Sequence, residues 1–144
     1  MTFKEYINFL FRNCEKYEAA MLDFSAEHRN RVRKINKFRN PLRGHNACLK
    51  RRTYYMEMEI FRVRFDDARE RLQLTLETIL RASKKHFDRT WKLAKKEHGD
   101  TPRDFHYICM SIMKEQDLLQ KRYDAWVKKS GKRMSDYYRE LNEK

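Results

Sequence analysis

Chain reversals are scarce in this sequence, and that scarcity restricts the fold more than any other feature. The 144 residues contain three glycines (Gly44, Gly99, Gly131) and two prolines (Pro41, Pro102). Sheets need a reversal after every short strand, and glycine and proline supply most such turns. Between Gly44 and Gly99 neither residue occurs. A chain of this kind suits long helices and little else.

The apolar spacing agrees. Phe3, Ile7, Leu10, Cys14, Tyr17, Met21 and Phe24 alternate steps of four and three, which places them on one helical stripe. Thr2 and Glu5 have the spacing of a capping box, and Asn40-Pro41 stops the pattern, so the first helix is expected over about 3–38. A second stripe runs through Tyr54, Met58, Phe61, Phe65, Ala68, Leu72, Leu76 and Ile79, then Phe87, Trp91 and Ala94, giving a helix over 46–98. This stripe is poorest at Ala82-Ser83-Lys84-Lys85, which leaves open a break at 82–85.

Gly99 suits a helix C-cap, and Thr101-Pro102 places proline at a first helical position. Phe105, Cys109, Ile112, Gln116, Leu119, Tyr123 and Trp126 mark a third helix over 102–130. Gly131 is expected to end it, with Ser135 starting a short helix over 135–143. The expectation is an all-α fold in a single domain, 1–144: an elongated antiparallel bundle of three long helices plus a short C-terminal one. If the second helix is unbroken, part of its apolar stripe is left uncovered, which predicts a homo-oligomer or larger assembly.

Charge is the second organising feature. The chain carries a net +13, and no acidic residue lies between Glu27 and Glu57. That interval holds Arg29, Arg31, Arg33, Lys34, Lys37, Arg39, Arg43, Lys50, Arg51 and Arg52, which account for +10. Arg29, Arg33 and Lys37 share a stripe, with Lys34 beside it and Val32, Ile35 and Phe38 on the other side. Cations in the opening turns of a helix oppose its macrodipole, a cost that a bound anion reverses. A solvated face normally mixes both signs. The ten cations are therefore read as a nucleic-acid-binding surface, with Tyr54 and Tyr55 beside it as candidate base-stacking residues.

Arg39-Asn40-Pro41-Leu42-Arg43-Gly44-His45-Asn46 resembles the Arg-Asn…His signature of HEPN ribonucleases. That resemblance implies a metal-independent ribonuclease with His45 as general acid/base and Arg39 steadying the phosphate, typically in a dimer. A second pair within the spacing range that the signature allows, Arg four to six residues before His, occurs at Arg81 and His86.

Other chemistry is weakly represented. His45 and Cys48 could begin a metal site, but no second ligand pair at zinc spacing follows, so no metal or cofactor is expected. Three widely spaced cysteines form no disulfide framework and point to a reducing, intracellular setting, cytoplasmic or nuclear. Lys4, Glu5 and Asn8 interrupt the N-terminal apolar residues, so no signal peptide is read, and no stretch approaches the roughly 20 apolar residues of a membrane span. Asp67–Arg71, Glu77–Arg81 and Asp117–Lys121 are expected to be surface helix pairs. The function expected is that of a basic, non-catalytic nucleic-acid-binding or scaffold protein in a nucleoprotein assembly. The alternatives are the ribonuclease and an inhibitor or adaptor with an acidic protein partner.

Overall fold

The computed structural model describes the backbone of residues 1–38 and 45–143, with the side chains of 31, 34–38, 45–51, 54, 138 and 140–143 excepted. Among the described residues there are three helices and no strand: α1 (Phe3–Phe38), α2 (His45–His98) and α3 (Pro102–Glu143). At 1.5 Å per residue, α2 is about 81 Å long.

Each helix end has a local cause. The Thr2 hydroxyl accepts from the Glu5 N–H and the Glu5 carboxylate accepts from the Thr2 N–H, both at 3.2 Å, so the capping box forms reciprocally. Lys95, Lys96 and His98 occupy the last turn of α2, where cations oppose the negative end of the dipole. The Gly99 N–H donates to the Lys95 carbonyl at 3.0 Å, and a Cβ on Gly99 would lie 2.4 Å from that oxygen. Glycine is thus required there by close backbone approach. Thr101 closes α2 as well as opening α3. Its N–H and hydroxyl both donate to the His98 carbonyl, at 3.0 and 3.2 Å, while its own carbonyl accepts from Phe105 at 3.0 Å.

One sequence expectation needs correction, and one alternative left open is decided. The third helix does not end at Gly131, and no separate fourth helix follows. Ser130 is buried and Met134 and Tyr137 are half-buried, so the inward stripe of α3 continues past the glycine. Gly131 lies on the outer side, where an added Cβ would meet nothing. The helix passes through it at a cost of roughly 1 kcal/mol relative to alanine. Nor is there a break at 82–85. The apolar stripe weakens there because Ser83, only 5% exposed, donates its hydroxyl to Gln116 Oε1 at 3.0 Å. A polar pair replaces an apolar one without interrupting the helix, and such pairs fix register between helices.

The chain divides into two compact units: Phe9–Leu76, and Met1–Asn8 with Glu77–Lys144. The first is formed by α1 and α2 alone. Its core holds Leu10, Phe11, Cys14 and Met21 from α1 and Ala68 and Leu72 from α2. Burial pushes the Cys14 thiol up to about 11, with Glu15 and Glu18 adding to the effect. On α2 of this unit, Met56, Ile60 and Val63 are exposed at steps of four and three.

In the second unit Ile7, Ile79, Ala94 and Cys109 are buried, and Ile79 is fully enclosed. Trp91 stacks on Phe87 with ring centroids 5.6 Å apart and meets the edge of Phe105 at 6.1 Å. Arg122 on α3 donates to Asn8 on α1 at 2.7 Å. The pairs Asp67–Arg71, Glu77–Arg81 and Asp117–Lys121 all form, at 3.0, 3.6 and 3.1 Å, and all are exposed. Exposed pairs of this kind contribute a few tenths of a kcal/mol each.

The two glycines predict opposite effects of alanine. Gly131→Ala should raise stability by about 0.5–1 kcal/mol, and Gly99→Ala should lower it by more than about 1 kcal/mol; urea denaturation of both variants checks the sign. A second expectation concerns Cys14. The folded thiol keeps its proton to higher pH than an ordinary thiol near 9.0. Its contribution is therefore complete below pH 9 and is lost as pH rises towards 11. The stability difference between the wild type and Cys14→Ala should narrow across that interval, and a constant difference would contradict the assignment.

Candidate nucleic-acid interface

The acid-free segment covers the last turns of α1, the connection at 39–44 and the first turns of α2. Of its ten cations, three have described side chains. Arg33 on α1 and Arg52 on α2 are exposed, and neither has an ion-pair partner among the described residues. Arg29 differs, because it is half-buried and its Nη2 is enclosed without a hydrogen-bond partner among the described residues. Its position on the same helical stripe as Arg33 therefore does not give it the same exposure.

The side chains of Arg31, Lys34, Lys37, Lys50 and Arg51, and Arg39 and Arg43 altogether, lie outside the described residues. So do Tyr54 and the ribonuclease-like pair: Arg39 falls in the connection, and His45 is described only as the first residue of α2. The geometry on which a catalytic reading of Arg39 and His45 depends is accordingly outside the described residues, as is that of Cys48. Tyr55 is 58% exposed, next to Met56, and presents an aromatic ring three residues after Arg52, the last cation of the segment. The first turn of α2 contains no acidic residue, so the unfavourable pairing of cations with the positive end of its dipole is not relieved by a local carboxylate.

A second basic surface occurs within the unit formed by 1–8 and 77–144. A cleft of about 580 Å³ is lined by Tyr6, Arg81, Lys85, His86 and Arg89, among others, and none of its described lining residues is acidic. Sequence reasoning missed it, because 24 basic and 21 acidic residues outside 28–56 nearly cancel when counted together. The usable signal is local. Residues 81–96 hold seven Lys or Arg against Asp88 alone, and Arg81, Lys85 and Arg89 fall four apart on one ridge of α2. His86, in the same cleft, is already engaged. Its ring stacks on Phe3 at 3.7 Å with an interplanar angle of 1°, and its Nε2 lies 3.2 Å from the Glu115 carboxylate.

Among the described residues no three His, Cys, Asp or Glu side chains converge on a possible metal position. No described helix is long and apolar enough to cross a membrane. Cys14 and Cys109 are free thiols and both are buried. No family model, curated protein or solved structure matches the chain, so a functional reading has to come from the chemistry of its own surfaces.

The contrast between Arg29 and Arg33 has a measurable consequence. Arg29→Met removes an enclosed N–H that has no partner, and should leave stability unchanged or raise it. A loss of 2 kcal/mol or more (on the order of a broken buried pair) in equilibrium unfolding would show that the guanidinium is a structural contact instead.

Proposed function

We propose that this chain is a non-catalytic nucleic-acid-binding protein that uses segment 28–56 as its contact surface within a nucleoprotein assembly. The observation that carries the reading is the concentration of +10 of the net +13 in a stretch without a single carboxylate. Arg33 and Arg52, exposed and without an ion-pair partner among the described residues, support it, one from each helix that borders the connection. In this reading α1 and α2 run antiparallel through the unit Phe9–Leu76, so that the cations ending α1 and those opening α2 come to one end. Phosphates held there offset the dipole cost of placing cations at a helix N-terminus. Tyr55 adds a stacking surface beside them.

An acidic protein partner would use the same charge, but would not need an aromatic ring next to it. The assembly half of the reading is supported by Met56, Ile60 and Val63, whose exposed heptad spacing suits a second copy of the chain. Light scattering on the purified protein reports that state directly: a dimer or larger species is expected, and replacement of all three by glutamine should return it to monomer.

Binding to a labelled 20-base-pair DNA duplex and to an RNA hairpin at 150 mM salt tests the interface. Arg33→Glu with Arg52→Glu should weaken both at least tenfold (about 1.4 kcal/mol) while helicity is retained. Neutralisation of the same pair by glutamine should reduce the log–log salt slope on duplex DNA by about 1.8, near 0.9 per lost phosphate contact. Unchanged affinity and slope would sink the assignment.

A further inference from the structure

We infer that the cleft bordered by Tyr6, Arg81, Lys85 and Arg89 is a second phosphodiester-binding site, which takes a single nucleic-acid strand. The proposal does not rest on segment 28–56, from which it shares no residue. It rests on a cleft of about 580 Å³ whose described lining is basic, hydroxyl-bearing and aromatic and includes no carboxylate.

The arrangement of the cations selects the ligand. Arg81, Lys85 and Arg89 stand four residues apart, so their Cα atoms step about 6 Å at a time along α2. Such a row spreads its charge over about 12 Å. A compact anion is best held by cations that converge on one point, whereas a row fits a linear chain of phosphates. Lys85 and Arg89 have no ion-pair partner among the described residues. Arg81 pairs with Glu77 at 3.6 Å, but both side chains are well exposed and the pair is easily exchanged for a phosphate.

The aromatic groups divide the labour. Phe3 and His86 already cover each other's faces, and His86 is held by Glu115. Tyr6, 37% exposed at the cleft wall and in no ring stack among the described residues, is the aromatic group there to receive an unstacked base. Bases of a duplex are stacked on one another, so a site that combines a cation row with an open ring favours a single strand.

The test uses the full-length protein and a fluorescein-labelled 20-nucleotide oligothymidylate, with anisotropy read at 150 mM salt. Lys85→Glu with Arg89→Glu should weaken binding at least tenfold, with Arg33 and Arg52 intact. Lys85→Gln with Arg89→Gln should lower the salt slope by about 1.4, at 0.7 per contact on a single strand. Tyr6→Ala should weaken binding roughly five- to 150-fold with little change in that slope, which a merely structural role would not produce. Circular dichroism confirms that each variant is folded.

Failure of the wild type to bind the oligonucleotide overturns the proposal, as does unchanged affinity in the Lys85/Arg89 variants. Full displacement by millimolar inorganic phosphate would indicate a small-anion site, and equal displacement by polyglutamate an acidic-peptide site; either result overturns it too. The Arg33/Arg52 variant, measured alongside, separates this site from segment 28–56. Loss on duplex DNA in that variant with loss on the single strand in the Lys85/Arg89 variant supports two sites, whereas loss on both ligands in the Arg33/Arg52 variant with none in the Lys85/Arg89 variant removes the cleft and leaves segment 28–56.

Discussion

The continuity of α2 is the constraint on which the rest of the structure depends. Its inward stripe supplies Ala68 and Leu72 to one compact unit and Ile79, Ser83 and Ala94 to the other. It also carries both basic surfaces: Arg52 near its start and the row Arg81, Lys85 and Arg89 further on. Over the described side chains α2 packs inward on one side, which leaves its outer side free to vary, and there the sequence has many lysines and arginines. The weakest point of the stripe is bridged by the Ser83–Gln116 hydrogen bond instead of by apolar contact. Such a pair contributes about 1 kcal/mol at most, but it ties α2 to α3 at one register.

Much of this was legible from spacing. Among the described side chains the stripes of all three helices point inward as read, the capping box at Thr2 and Glu5 forms, and the i,i+4 ion pairs at Asp67, Glu77 and Asp117 are in place. The misreading and the open alternative share a physical origin. Gly131 reads as a stop because glycine is a poor helix former, yet that penalty is small against the burial of Ser130, Met134 and Tyr137 on the same stripe. Spacing alone leaves a break at 82–85 open because a serine is not counted as a core residue, although a hydrogen-bonded serine is a satisfactory one.

The candidate site was legible in a different way. Net charge located segment 28–56 at once, because an acid-free interval is visible without any geometry. The same arithmetic hid the row on α2, where carboxylates elsewhere in the chain cancel the sum although none lines the cleft. Tyr6 and Arg89 are far apart in sequence, and only folding brings them to one wall. Exposure is the remaining piece that spacing cannot supply: Arg29 and Arg33 lie one turn apart, but only one of them presents its guanidinium fully to solvent.

Where nucleic acid touches the chain is the central claim, and photocrosslinking tests it most directly. The full-length protein, irradiated with a 4-thiouridine-containing RNA and digested, should yield nucleotide adducts on peptides from 28–56, Tyr55 among them. Adducts confined to residues 102–143, or no adducts at all under conditions where the RNA is retained, would contradict the account.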